Sequence, residues 1–266
     1  MTPPGKTALV LSGGGSRGAA EVGFYRALRE LGVGVDFIVG ASVGAINGAF
    51  IASGLEWSAM RGLWRDFARR RPFRLNWRLL LSPFAEDGLL DAQGLHRFLS
   101  DSLPTTRFES LPVPLTVVAT SLQDMAAVYL ERRGDLLQAL MASTALPLYF
   151  PPVRVAGRQL VDGGVADNAP IAAAIARGAT RVYCFRCDCD AEAERPVRGW
   201  LDVHATAFRV AMKQRLLREL DGCRSRAELV VVDSCLLASP GLLDFSRSEE
   251  LMEQAYAVSL ARLRAA

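Results

Sequence analysis

Ser42 and Asp162 are the side chains most suited to chemistry, because each stands among glycines where an apolar run ends. Ser42 lies in Gly40-Ala41-Ser42-Val43-Gly44, after the apolar Phe37-Ile38-Val39 and before a small-residue run reaching Phe50. Strand, sharp turn, helix, with a serine at the apex of G-x-S-x-G, is the pattern of a nucleophile elbow. So tight a turn strains the serine backbone, and glycine on either side removes side chains that would collide. The helix behind Ser42 would aim unpaired N–H groups and a partial positive charge at it. Alone, the pentapeptide fits an ordinary strand-to-helix turn with an idle serine equally well.

A serine hydroxyl needs a base to take its proton and later return it to the leaving group. The chain has two histidines. His96 falls in Leu95-His96-Arg97-Phe98 and His204 early in a long amphipathic pattern, neither in the loop-end setting of a triad histidine. The order Ser42, Asp162, His204 does fit the α/β-hydrolase order, so a triad stays open. Asp162 is the better base. It ends a short strand and is followed by Gly163-Gly164, which let backbone approach closely. A carboxylate within hydrogen-bond reach could take the serine proton directly, as a Ser–Asp dyad. The plainer alternative is a turn-forming Asp-Gly.

Upstream, the apolar run Thr7–Leu11 leads into Ser12-Gly13-Gly14-Gly15-Ser16-Arg17-Gly18. Gly13, Gly15 and Gly18 satisfy the dinucleotide fingerprint, and Asp36 follows at about 20 residues. Asp36, however, begins the second strand, whereas a ribose-binding acid belongs at its end. No Gly-Lys-Ser/Thr follows, which excludes a phosphate-binding Walker loop. At a strand's carboxyl end, glycine-rich backbone can turn several N–H groups inward, as an oxyanion hole requires. Arg17 would add a cation there, or pair with a surface acid.

Positioning these residues takes alternating strands and helices. Val22, Tyr25, Leu28 and Leu31 repeat at helical spacing and Gly32 stops that helix. This β-α-β-α order predicts a mainly parallel sheet covered by helices. Strands are expected at 115–120 and 127–131, a helix at about 135–143, and a hairpin at 153–161 around Gly157. Next come a helix capped by Asp167 or Asn168 with Pro170 in its first turn, a strand at 181–185, a helix at 200–220, a strand at 229–233 and a helix at about 247–264. Between 55 and 104, Trp57, Met60, Leu63, Trp64 and Phe67 repeat at helical spacing. Three of the four tryptophans and seven arginines fall between 57 and 78. Residues 57–81 read either as a peripheral membrane contact or as a helical cap with a solvated basic rim.

The 266 residues, half of them hydrophobic, suit one α/β domain, with a helical cap-like insertion at about 55–110. A charge of +3 from 31 basic and 28 acidic residues argues against nucleic acid as a partner. Five cysteines suit a reducing compartment. Neither a signal peptide nor a membrane-spanning segment is legible, so a cytoplasmic location is expected, with or without peripheral membrane attachment. Cys184-x-x-Cys187-x-Cys189 with Asp188 and Asp190 lacks a zinc-ribbon spacing or second pair, so no metal is expected. No cofactor is implied, and oligomeric state has no signal.

Together the blocks Gly13-Gly14-Gly15-Ser16-Arg17-Gly18, Gly40-Ala41-Ser42-Val43-Gly44 and Asp162-Gly163-Gly164 resemble the three signatures of patatin-like phospholipases, in order. Ala142-Ser143-Thr144-Ala145-Leu146-Pro147, Phe150-Pro151-Pro152, the run from Asp162 to Pro170 and Asp244-Phe245-Ser246 are also similar to that family. The resemblance runs from about residue 7 to the C-terminus and is poor at about 55–110. It implies a three-layer α/β/α sandwich and a histidine-free dyad, with Ser42 as nucleophile and Asp162 as base. Gly13, Gly14 and Gly15 would form the oxyanion hole, with Arg17, Gly18, Gly40, Gly44, Gly163 and Gly164 in support, and calcium would not be needed. The implied activity is hydrolysis of a lipid ester through an acyl-enzyme. A short-chain esterase or acyltransferase on the same dyad and an inactive lipid-binding module are the alternatives.

Overall fold

A computed structural model describes residues 5–70, 72–76, 88–187, 196–233 and 241–265; in the helix Trp200–Cys223 the side chains of residues 200–202, 204, 205, 208 and 209 are not described. Its centre is an eight-stranded sheet. β1 (Lys6–Leu11), β2 (Phe37–Ala41), β5 (Leu115–Ser121), β9 (Ala179–Arg186) and β10 (Glu228–Asp233) run parallel, in the order β10-β9-β1-β2-β5. β6 (Ala126–Glu131), β7 (Val153–Val155) and β8 (Arg158–Asp162) are antiparallel additions at the β5 end. The mainly parallel sheet follows from the β-α-β-α order read in the sequence.

Alternation along each strand makes the three layers. Leu9, Leu11, Ile38, Tyr183 and Phe185 enter one core, while Ala8, Val10, Val39, Val182 and Cys184 enter the other. The first core is closed by α1 (Ala19–Glu30), α2 (Val43–Ala52), α3 (Trp57–Arg70), α4 (Gln93–Ser102), α5 (Leu136–Ser143) and α8 (Ser248–Arg264). The second is closed by α6 (Ile171–Ala176) and α7 (Trp200–Cys223). Being buried on both faces, the central strands read as continuous apolar runs. β3 (Arg74–Leu75) and β4 (Leu90–Asp91) form a separate two-stranded ribbon.

One detail of pairing positions the site. β6 occupies one edge of β5 along Thr116–Ser121. The opposite edge is shared: β2 pairs with Leu115–Val118, and β8 takes over from Ala119. Ala41 faces Val118 and Asp162 faces Ala119, so β2 and β8 meet end to end there. The residues that follow each strand are thereby brought together.

One local expectation is corrected. Neither Asp167 nor Asn168 caps α6; Pro170 holds that position without a side-chain cap. The Asp167 carboxylate instead accepts the Tyr129 hydroxyl at 2.9 Å, and Asn168 turns toward Gly13. Asp36, the acid of the dinucleotide fingerprint, accepts the Thr7 amide at 2.7 Å at the opposite end of β1 from the glycine loop. Among the described residues, no helix is long and apolar enough to cross a membrane.

Candidate active site

Ser42 follows β2 with φ 54° and ψ −126°, a left-handed backbone that costs a non-glycine residue on the order of 1–3 kcal/mol. The surroundings hold it there. Its amide donates to Ser143 Oγ at 2.8 Å, and Ser143 Oγ donates to the Val118 carbonyl at 2.5 Å. A Cβ on Gly40 would strike the Gly44 carbonyl, and one on Gly44 the Leu11 carbonyl, so the elbow closes only with glycine at both. The first amides of α2 lie directly behind the serine without intrahelical acceptors.

The Ser42 hydroxyl donates to Asp162 Oδ2 at 2.6 Å. Asp162 is 4% exposed and its other oxygen, Oδ1, accepts the Gly164 amide at 2.8 Å. Its backbone is clamped as well. The Asp162 amide donates to the Ala145 carbonyl at 2.9 Å, and Thr120 Oγ1 donates to the Asp162 carbonyl at 2.8 Å while accepting the Ala166 amide at 3.1 Å. Burial pushes the carboxyl up from 3.8 to about 6, opposed by the hydrogen bonds from Ser42 and Gly164. Such a group is mostly ionised at neutral pH yet basic enough to take a proton, as suits a general base.

The glycine loop adjoins the pair. A Cβ on Gly13 would strike Asn168 Oδ1 and crowd the Ser42 Cβ, leaving no room for a side chain. The Gly13 amide donates to the Asn168 carbonyl at 3.1 Å and is therefore engaged. Gly15 opens a short 3-10 turn, Gly15–Gly18. Among the described residues, the amides of Gly14 and Gly15 have no hydrogen-bond acceptor. Arg17 is buried, and its Nε donates to the Gly14 carbonyl at 3.3 Å. Because a trans peptide is planar, this points the Gly15 amide the opposite way. Gly18 packs on Val43, Gly163 on the Val118 carbonyl, and Gly164 beside Asp162 Oδ1.

His96 is exposed on α4. His204 lies on α7, with its side chain outside the described residues. Cys184 and Cys187 are buried thiols in opposite cores, while Asp188, Cys189 and Asp190 lie outside the described residues. Arg71 and residues 77–81 do so too. The remaining α3 arginines are largely paired: Arg61 with Glu249 and Glu253, Arg65 with Glu249, Arg70 with Asp66 and Asp101. Sequence reasoning assigned no role to Ser143, which fixes the Ser42 amide. It noted the Ala142–Pro147 block only as a resemblance, and a serine ending a helix has no periodic signature.

Residues 9–175 match the sequence model of the patatin-like phospholipases. An NTE family protein of Mycobacterium tuberculosis is 37% identical over 168 residues, which are 63% of this chain and 45% of that protein. Patatin-like phospholipase domain-containing protein 7 of Mus musculus is 33% identical over 180 residues, which are 67% of this chain and 13% of that protein. The chain thus spans under half the length of these relatives. Among solved structures, VipD of Legionella pneumophila superimposes with a TM-score of 0.54 at 17% identity, covering 99% of this chain and 67% of that one. Human GIVD cytosolic phospholipase A2 does so with a TM-score of 0.51 at 15% identity, covering 98% and 59%. At such identities these two likenesses concern the fold.

Proposed function

Because the chain belongs to the patatin-like phospholipase family, we propose that it is a serine lipid acyl hydrolase acting through Ser42 and Asp162. The observation that carries this reading is the 2.6 Å hydrogen bond from the Ser42 hydroxyl to a buried carboxylate. Ser42 Oγ attacks the ester carbonyl carbon as its proton passes to Asp162 Oδ2. The carbonyl electron pair moves onto oxygen, where the amides of Gly14 and Gly15 receive it. The Gly13 amide, engaged by Asn168, serves the shape of the loop. Collapse of the tetrahedral intermediate expels the alcohol, which takes the proton from Asp162 and leaves an acyl-Ser42. Water, deprotonated by Asp162, then releases the carboxylic acid. No histidine is required, since Asp162 serves as both base and acid.

The substrate in this reading is a phospholipid or related lipid ester. Lysophospholipase NTE1 of Mycosarcoma maydis, 30% identical over 181 residues, is a relative whose name supports a lipid ester. For peripheral contact with a lipid surface, the segment 57–81 keeps Arg69 and Arg74, both exposed and outside the ion pairs of the described residues. The test is hydrolysis by the purified chain of phospholipid vesicles and of a soluble short-chain ester, beside Ser42→Ala. Turnover of vesicles that disappears in Ser42→Ala supports the reading. Turnover confined to the soluble ester points to a short-chain esterase, and turnover retained by Ser42→Ala removes the dyad.

A further inference from the structure

One buried carboxyl takes no part in the chemistry above. Glu21, on α1, is 0% exposed. Its Oε2 accepts Asn47 Nδ2 at 2.7 Å, and the same amide group donates to the Gly18 carbonyl at 2.8 Å. Asn47 cannot turn away, because its Oδ1 accepts Trp64 Nε1 at 3.0 Å. On the other side, Glu21 Oε1 accepts the Cys187 thiol at 3.5 Å, while the Ser12 amide donates to the Phe185 carbonyl at 3.3 Å. Cys187 in turn donates its amide to Ser12 Oγ at 2.9 Å, and its Cβ lies against the Gly14 Cα. One carboxyl therefore joins α1, α2, the residue after β9 and the loop that carries the Gly14 amide.

Among the described residues, the side chains that hydrogen-bond the Glu21 carboxyl are the uncharged Asn47 and Cys187. From the β9 side comes the Cys187 thiol, while Cys184 lies in the opposite core. From α2 and α3 come the neutral Asn47 and Trp64. Arg17, one turn earlier, directs its Nε to the Gly14 carbonyl. α8, packed on α1, brings the half-buried Glu249 and the exposed Glu253, both paired with arginines. Burial pushes the Glu21 carboxyl up from 4.5 to about 8, opposed by the hydrogen bonds from Asn47 and Cys187.

We propose that Glu21 is a positioning residue for the oxyanion loop, a carboxyl that through Asn47 and Cys187 locks Ser12–Gly14 against α2 and the end of β9, and that turnover falls when this carboxyl ionises. The inference rests on the hydrolase reading above. An ionised Glu21 would place an uncompensated charge in a low-dielectric setting, behind the groups that receive the oxyanion. It would oppose the negative charge of the transition state while leaving the neutral substrate's binding largely unchanged. The effect belongs in kcat rather than KM.

The experiment is the pH dependence of kcat and KM on a soluble ester for wild type, Ser42→Ala, Glu21→Gln and Glu21→Leu. Wild-type kcat is expected to decline as pH rises through about 8, and Glu21→Gln, which cannot ionise, to lose that decline while keeping its neutral-pH turnover. Glu21→Leu, which cannot accept from Asn47, is expected to lose roughly a hundredfold in kcat with KM within about twofold. If Glu21→Leu does not fold, Glu21→Gln still decides. An alkaline decline that persists in Glu21→Gln, or full kcat in Glu21→Leu, overturns the Glu21 proposal alone, because wild-type turnover lost in Ser42→Ala leaves the hydrolase reading standing. If wild type turns over no ester, that reading fails and takes the positioning role with it.

Discussion

At the ends of β2 and β8 the ionisable groups are buried and their partners are neutral; along α3 and α8 they are exposed or half-exposed and their partners are opposite charges. Asp162 has a serine hydroxyl and a glycine amide, and burial raises its pKa. Glu249 has Arg61 and Arg65, and those hydrogen bonds lower its pKa. The second arrangement stabilises the charged form and leaves it inert. The first leaves a carboxyl poised near neutrality, at a cost in stability met by the clamps on Ser42, Asp162 and the glycine loop. The contrast separates the proposed reactive region from a structural one by environment, since each holds carboxylates.

Substitutions should divide along the same line. The largest effect is expected for Ser42→Ala and Asp162→Asn, each lowering kcat by on the order of 10⁴-fold or more, with circular dichroism unchanged. Asp162 also fixes a pH response. Because the carboxylate must be ionised to accept a proton, kcat should rise with pH through about 6. Stability should run the opposite way. The folded pKa lies above the unfolded value of 3.8, so the folded state binds more protons between about pH 4 and 6 and loses stability as pH rises across that window. Denaturant titrations should lose that fall in Asp162→Asn.

Ser143→Ala comes next. It strips the acceptor from the strained Ser42 amide and should lower kcat roughly tenfold to a hundredfold, with a stability loss of about 1–3 kcal/mol by chemical denaturation. Smallest is Arg65→Ala on α3, whose exposed pair with Glu249 should be worth less than about 1 kcal/mol, with turnover of a soluble ester unchanged. A large loss of turnover in Arg65→Ala would erase the contrast between the two regions.

The same contrast explains what the sequence made legible. Gly40, Ser42 and Gly44 are dictated by backbone collisions that only glycine avoids, and the alternation of strand and helix is written in apolar periodicity. Those features are legible in the residues alone. The Ser143 and Glu21 contacts join residues 101 and 26 positions apart through side chains, and the Gly13 amide is taken by a carbonyl 155 positions away. Such bonds leave no local pattern. The expected caps on α6 failed for that reason: Asp167 and Asn168 have the right residue type at the right place, but Tyr129 and Gly13 supply long-range partners. Along α3, arginine beside tryptophan was equally compatible with lipid and with solvent, and only the positions of Glu249 and Glu253 reveal what Arg61 and Arg65 meet.

The central claim is that Asp162 activates Ser42 directly. Intact-mass measurement after exposure to a fluorophosphonate tests it on wild type, Ser42→Ala and Asp162→Asn. The account predicts a single adduct on wild type, none on Ser42→Ala and a strong loss of labelling rate on Asp162→Asn. Undiminished labelling of Asp162→Asn would contradict it and assign the base elsewhere.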